Sequence, residues 1–590
     1  MIIRQLRLFN TLIRPIQFRF IFQQKNKIFK MSDQPVQPPE EGAEGAQKSK
    51  KQLQREKKEA EKAQKKQEIQ EAQKQQQQQQ QIQEEDYCVG RYGDLNLIQS
   101  QERTNRKWIK VGDVDQTLVN QVILVRARIH NSRVKGKLAF LVLRENYNTI
   151  QVVAEKGEFA SAQMLKYISG IPLESVVDIE ALVKQPNKEI LSCTQKVELE
   201  IRSIKVVSRS LPMLPFQIED ASRRITDFED GVQEMKQEEP QIKQDKQEKQ
   251  DKQDKNEKQQ IQVMLKTRLD NRVIDLRTPA KQAIFRVQSG IGLLFREFLV
   301  ENGFIEIHTP KLIGGTSEGG TNVFKLKYFN QDACLAQSPQ LYKQMCLMAD
   351  YDRVFEVAPV FRAENSNTHR HQCEFISMDI EMVIKEHFTE LLDLMGDLCI
   401  YMFKGIEKRY QKEIEIISQQ FPFEPFKIPE PVLKLTFEEG VKMLHEAGVN
   451  QDPNDDLDTT NEKTLGKLVR EKYGTDFYIL HRYPKKARPF YTMPCHDDPN
   501  YTLSYDFFMR GEEIVSGAQR VHDPELLIKQ IKEKGIAVEP LKDYIDSFRY
   551  GAFPHGGCAF GLERVAFLYF NLKNIRNACM FPRDPVRLFP

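Results

Sequence analysis

The sequence predicts an α+β protein in two folded parts: a small barrel of five strands, then a larger antiparallel sheet flanked by helices. Three observations carry that expectation. Residues 122–206 contain five short runs of alternating apolar side chains, rich in β-branched residues, with one helical stretch after the third. From residue 263 on, strand-like runs cluster around irregular loops and longer stretches of helical periodicity, the order of an antiparallel sheet with helices on one side. Two tracts crowded with Gln, Lys and Glu, at 46–86 and 229–262, set these parts apart.

Composition narrows the class. A chain of 590 residues is long enough for several domains. Its 87 Lys and Arg nearly balance 84 Asp and Glu, which argues against a polybasic, histone-like protein while allowing local basic faces. Hydrophobic residues at 40% suffice for a sizeable core, and the chain lacks the run of about 18 apolar residues that a membrane span needs. Its nine cysteines are odd in number and scattered, with no C-x-x-C pair, so neither a disulfide framework nor a zinc ribbon is expected.

Taken in order, residues 1–30 hold seven basic residues, no acidic one and many apolar ones, the composition of a mitochondrial transit peptide. Pro15 and the lack of serine weigh against it; the alternative is a start at Met31. Residues 31–86 open with a Pro- and Gly-rich stretch and continue as a Lys- and Gln-rich run of helix formers, including Ser49 to Lys58. Its basic side chains suit phosphates without sequence preference, and a solvated tail is the plainer reading. Residues 87–212 form the first folded domain, with strands at 122–130, 138–144, 149–154, 175–183 and 196–206 and a helix at 159–168. That order is the order of an OB barrel, which binds single-stranded nucleic acid on one face. Arg128, Phe140 and Gln151 offer that face a cation, a ring and an amide; alternatively Phe140 belongs to the core. A hinge at 213–228 and a charged insertion at 229–262 precede the second domain, 263–590. There, helices are expected at 280–301, 388–405 and 562–572, and strands at 323–328, 353–361, 374–384, 501–508 and 512–516.

Three places in this domain suit polyphosphate chemistry. Arg362 ends one strand and faces a basic loop with His369, Arg370 and His371; a paired surface arginine is the plainer alternative. Arg564 sits in the first turn of a helix behind a glycine-rich entry. Glu512 to Gly517 supplies carboxylate and hydroxyl oxygens of the kind Mg²⁺ takes. Neither a P-loop nor a G-x-G-x-x-G fingerprint is present, which argues against Walker-type and Rossmann sites.

Thr309-Pro310-Lys311-Leu312, the segment 361–375 and Gly561-Leu562-Glu563-Arg564 resemble motifs 1, 2 and 3 of class II aminoacyl-tRNA synthetases. Gly314 to Gly320, Gln337 to Lys343, Ser516 to Arg520 and the ending Phe581 to Pro585 narrow the resemblance to the aspartyl-tRNA synthetases of the eukaryotic cytosolic type. It covers residues 87–590 apart from the charged insertion. Ser49 to Lys58 is more loosely similar to the family's lysine-rich tRNA-binding helix, with Gln54 where a lysine would be expected.

The resemblance implies an anticodon-reading OB domain, a hinge and a class II catalytic domain assembled as a homodimer. The partners would be L-aspartate, tRNA(Asp), ATP and Mg²⁺, without a membrane, in the cytoplasm. A mitochondrial form through residues 1–30 and membership of a larger synthetase complex stay open. It implies that Arg362 bridges the ATP α-phosphate and the substrate α-carboxylate, with Glu364 on the adenine edge and Phe375 and Arg564 stacking on its ring. His369 and Arg370 would hold the outer phosphates, and Glu513 and Ser516 the Mg²⁺. Ala363, His371, Gln372, Gly561, Leu562 and Glu563 complete the implied ATP site. Ser317, Glu318 and Gln340 would meet the ammonium end of aspartate; Lys343 and Arg520 would hold its side-chain carboxylate, with Asp379 orienting Lys343. Catalysis is expected to rest on Arg362, Glu513 and Arg564, and the anticodon on Arg128, Phe140 and Gln151. Cys558 and Ala559 depart from the glycines more usual there, which implies altered packing around the adenine. Asparaginyl- and lysyl-tRNA synthetases share the architecture, but two cations at the side-chain pocket suit a carboxylate and repel lysine. A binding-only relative would lack Arg362, Glu513 or Arg564, and all three are present.

Overall fold

A computed structural model of the chain describes residues 86–225, 262–314 and 323–590. The expected leader, the Lys- and Gln-rich extension, most of the charged insertion, and Ser317 and Glu318 lie outside the described residues. No described helix is long and apolar enough to cross a membrane.

The first domain closes on itself. Strands β1 (Val122–Lys135), β2 (Leu138–Glu145), β3 (Asn148–Glu155), β4 (Val176–Lys184) and β5 (Glu198–Ser208) pair in the order β5-β3-β2-β1-β4, and β5 also pairs with β4. Helix α1 (Ala162–Ser169), capped by the Ser161 hydroxyl accepting from the Met164 amide, bridges β3 and β4. Alternation turns Val125, Leu141, Leu143, Ile150, Val152 and Ile179 into the barrel, where all are fully buried. Strand β1 runs past the expected end at His130, because His130 is an extra residue in a bulge between Ile129 and Asn131. The bulge breaks the apolar alternation without ending the pairing.

Glu174, at φ 67° before β4, ties the barrel to the second domain. Both its carboxylate oxygens accept from Arg144 Nη2 at 2.6 Å, and Arg277, just ahead of the second domain's first long helix, lies 3.0 Å away. Burial alone would push its carboxyl up, but His130, Arg144 and Arg277 hold it down at about 2. A carboxyl lowered in the fold adds stability above pH 4.5, its ordinary value, and loses it as the pH falls toward 2. Glu174→Gln is therefore expected to cost about 3–5 kcal/mol at pH 7, as when one partner of a buried pair is removed. Urea unfolding of both proteins across pH 7 to 3 checks this: the gap should narrow below pH 4.5, and a constant gap would refute the assignment.

The second domain is built on an eight-stranded sheet. Its strands are β6 (Ile305–Glu306), β7 (Arg353–Phe361), β8 (Glu374–Val383), β9 (Leu433–Thr436), β10 (Phe477–His481), β11 (Ser504–Met509), β12 (Glu512–Gln519) and β13 (His555–Gly561), in the order β9-β10-β11-β12-β13-β8-β7-β6. Pairing is antiparallel except at the two edges. Helices α2 (Pro279–Glu301) and α4 (Thr389–Arg409) cover one face, burying Ile284, Val287, Leu294, Met395 and Met402 against Phe355, Ile380 and Phe560. Helix α6 (Leu562–Tyr569) joins them in the same core, and the other face is left to α3 (Gln340–Met348), α5 (Thr459–Tyr473) and a cavity. Strand β13 was not expected, since its glycines carry no strand signal; it nevertheless lies near the sheet's centre. A Cβ on Gly557 would sit 2.0 Å from the Ile380 carbonyl oxygen and 2.4 Å from Glu381 Oε2, so glycine is what lets β13 approach β8.

Candidate active site

A cavity of about 450 Å³ opens over the middle strands, between the loop joining β7 to β8 and the start of α6. Its floor is set by two periodicities. On α3, Gln340, Lys343 and Gln344 share one face and are buried. On β8, Ser377, Asp379 and Glu381 alternate onto one face, also buried. Lys343 Nζ donates to Asp379 Oδ1 at 3.1 Å and lies 3.3 Å from Glu381 Oε2. Arg520 binds Glu381 through Nε at 2.9 Å and Nη2 at 3.2 Å. Burial would push the Glu381 carboxyl up, but Arg520 and Lys343 hold it below the usual carboxylate range.

Glu381 is one residue that sequence reasoning missed. Asp379, expected to orient Lys343, was the one carboxylate anticipated beside the two cations. The structure corrects this: two cations face two carboxylates, and the floor is already balanced.

Glu513 and Ser516 line the wall, with Asp506 beside them. Residues three apart on a regular strand face opposite ways, yet Glu513 and Ser516 share a face. The cause is a bulge: Phe507 pairs with Val515 but Phe508 with Glu513, so Ile514 is extra. Asp506 pairs with Ser516 and joins them, a carboxylate the sequence did not single out. Arg488 donates from Nη1 at 3.0 Å to both Asp506 Oδ1 and the Ser516 hydroxyl. Burial, then Asp506, pushes the Glu513 carboxyl up to about 8, although Arg564 opposes the shift.

Arg362 leaves β7 with its amide bonded to the Cys373 carbonyl at 2.9 Å, its guanidinium 5.6 Å from the Phe375 ring centre, and lines the cavity with Glu364 and Phe375. Gln372 is buried in the lining, and neither polar atom of its side chain has a partner among the described residues, leaving a donor and an acceptor for a ligand. Arg564 donates to the Glu513 carbonyl at 3.1 Å. Glu563 turns back to accept from the Ile376 amide at 3.1 Å, and burial pushes it up to about 7. His371 accepts or donates at 2.6 Å with the Thr368 hydroxyl, and burial and surrounding cations push it down to about 4.

Several expected contacts are placed elsewhere. His369 does not line the cavity; its ring packs on Phe567, and its carbonyl accepts from the Ile575 amide at 2.8 Å. Arg370 lines the cavity but is tied to the first turn of α5, donating to Glu462 Oε2 at 2.9 Å and to the Thr459 hydroxyl at 2.6 Å. Leu562 packs against the core, and Ala363 lies off the lining, whereas Gly561 is on it. Cys558 and Ala559 both line the cavity, and Cys558 is also buried in the core, so the departure from glycine touches the site itself.

On the barrel, Phe140 is 40% exposed, which removes it from the core. Phe140 and Val142 share the outer face of β2, and Gln151 joins it opposite Val142. Arg128 is on that face too but pairs with Arg144, four residues from the Phe140 row, and donates to the Glu174 carbonyl at 3.0 Å. The cation directly across from Phe140 is the exposed Arg133, which the sequence reading passed over because it lies beyond the bulge.

Residues 264–585 match the family model of class II tRNA synthetases (D, K and N), and residues 123–207 match the OB-fold nucleic acid binding domain. Among curated relatives, the chain is 50% identical over 508 residues to the cytoplasmic aspartate–tRNA ligase of Mus musculus, covering 86% of this chain and 96% of the relative. It is 48% identical over 509 residues to cytoplasmic aspartate–tRNA ligase 1 of Arabidopsis thaliana, covering 86% and 91%. Among solved structures, aspartyl-tRNA synthetase from Entamoeba histolytica superposes with a TM-score of 0.74 at 43% identity, covering 85% of this chain and 96% of that one. Asparaginyl-tRNA synthetase from Pyrococcus horikoshii with asparaginyl-adenylate gives 0.68 at 26%, covering 83% and 100%.

Proposed function

The chain belongs to the class II tRNA synthetases of the D, K and N group as an aspartate–tRNA ligase that aminoacylates tRNA(Asp), and from that premise we propose how its residues divide the work. The observation that carries the proposal is the floor of the cavity, where Lys343 and Arg520 stand together on Asp379 and Glu381. Arg520 Nη1 and the Lys343 ammonium meet the side-chain carboxylate of aspartate, and Gln340 meets the ammonium. Arg362 lies against both the α-carboxylate and the α-phosphate. By reducing their mutual repulsion it lets the carboxylate oxygen attack phosphorus and pyrophosphate leave. The terminal ribose hydroxyl of tRNA then attacks the adenylate carbonyl and AMP departs. Positioning and charge neutralisation carry both steps.

The orphaned amide of Gln372, with Phe375 and Arg564, suits an adenine. Glu513, Ser516 and Asp506 suit a hard divalent cation: their donors are oxygens, and the Ser516 hydroxyl keeps a lone pair beyond the bond from Arg488. No group of three or more His, Cys, Asp or Glu among the described residues could hold a metal by itself. The protein would thus supply part of a Mg²⁺ shell and ATP phosphates the rest; the ion would neutralise phosphate charge. For Arg370 to reach the outer phosphates, it must share or leave its bond to Glu462.

Leu293, Val300 and Ile305 are half exposed on and beside α2, an apolar face that suits a second copy of the chain. The names of the curated relatives support a cytoplasmic location. ATP–pyrophosphate exchange with aspartate, asparagine and lysine tests the reading. Exchange with aspartate alone is expected, and equal exchange with asparagine would overturn the assignment of the cavity floor.

For the anticodon, Phe140, Gln151 and Arg133 are the proposed row, with Arg128 supporting the domain junction. Stacking of a base on an aromatic ring contributes roughly 1–3 kcal/mol. Phe140→Ala should lower kcat/KM for tRNA(Asp) by about 5- to 150-fold and leave pyrophosphate exchange unchanged. An equal loss in both assays would place Phe140 in the fold instead.

A further inference from the structure

Behind the cavity floor, four side chains form a buried hydrogen-bond chain that begins at a backbone carbonyl. His555 Nδ1 is 2.7 Å from the Phe553 carbonyl oxygen. His555 Nε2 is 2.9 Å from Gln344 Nε2. Gln344 Oε1 lies 3.0 Å from both Gln340 Nε2 and the Tyr544 hydroxyl. His555, Gln344, Tyr544 and Gln340 are all buried.

The carbonyl of Phe553 can only accept, so His555 must carry its hydrogen on Nδ1. Burial pushes the imidazole down to about 4, so it holds one proton and Nε2 is an acceptor. Gln344 must then turn its NH₂ toward His555 and its oxygen toward Gln340 and Tyr544. Gln340, in turn, must give its NH₂ to Gln344. With its NH₂ held toward Gln344, the side-chain acceptor Gln340 offers to the cavity it lines is its carbonyl oxygen.

We propose that His555 and Gln344 are positioning residues that lock the Gln340 amide with its oxygen toward the substrate, so that the site accepts from the α-ammonium of aspartate. Without the lock, the Gln340 amide could turn its NH₂ group to the cavity and oppose an ammonium. The proposal rests on the reading of Gln340 as the ammonium contact.

Succinate separates this role from a structural one, because it has both carboxylates of aspartate and no ammonium. The experiment compares KM for L-aspartate with the inhibition constant of succinate in ATP–pyrophosphate exchange, for the wild type, Gln340→Leu, Gln344→Met and His555→Leu, with KM for ATP as the control. A hydrogen bond to a charged group is worth roughly 10- to 100-fold in affinity. Gln344→Met and His555→Leu are each expected to weaken aspartate by about that factor while leaving succinate and ATP unchanged. If Gln340→Leu spares the aspartate-to-succinate ratio, the ammonium reading of Gln340 fails. If Gln340→Leu collapses the ratio but a variant at 344 or 555 with normal ATP binding preserves it, the lock is overturned. Equal weakening of aspartate and succinate in both variants overturns it as well, in favour of a packing role.

Discussion

Arg362→Ala should reduce aspartyl-adenylate formation by more than about 30-fold while tRNA binding survives. Truncating a charged contact of this kind costs roughly 2–5 kcal/mol, and each 1.36 kcal/mol is tenfold in rate. The size of the effect follows from where the guanidinium sits. Two anions, a carboxylate and a phosphate, must come within bonding distance in a cavity already lined by acidic side chains, Asp379 and Glu513 among them. Arg564 is engaged with the Glu513 carbonyl and Arg488 with Asp506, so neither substitutes at the point of attack. The OB barrel is a separate core from the catalytic sheet, so tRNA should still dock. Pyrophosphate exchange and a filter-binding assay on the same variant check both halves, and near-normal exchange would remove Arg362 from the chemistry.

The sequence shows some of this site plainly and hides the rest for physical reasons. The strand expected at 353–361 is found as β7, Arg353–Phe361, because the run is dense in valine and phenylalanine and ends where Arg362 must turn. Asp379 and Glu381 stand two apart on one strand, so period two was enough to place Glu381 beside Lys343; attention to charge alone missed it. The Glu513–Ser516 pairing could not be read that way, since only the register against β11 reveals the bulge at Ile514. Strand β13 stayed hidden because close approach to β8 demands glycine, the residue that strand propensity disfavours. Arg133 was lost to the other bulge, at His130, where the count of faces changes in mid-strand.

Lys343→Leu should erode the preference for aspartate over asparagine by about 100-fold or more. The two amino acids differ by an amide in place of one carboxylate oxygen, so shape separates them poorly. Charge separates them well, and sites built to pair a polar group reject its analogue by about 10⁴–10⁵. In the intact floor, Lys343 and Arg520 balance Asp379 and Glu381 before any substrate arrives. The substrate carboxylate then enters a neutral cluster rich in cationic donors, and Arg520 Nη1 has no acceptor among the described residues, because Glu381 and the Gly557 carbonyl take Nε and Nη2. With leucine at 343, two buried carboxylates share a single arginine, and the aspartate side chain would be a third negative charge against one positive. Removing one partner from a buried pair costs about 3–5 kcal/mol, which is more than 100-fold, and asparagine, being neutral, escapes most of it. Steady-state exchange with both amino acids, for the wild type and this variant, measures the ratio. Should activity survive with the ratio unchanged, Lys343 does not read the side chain, and the discrimination must rest on Arg520 alone.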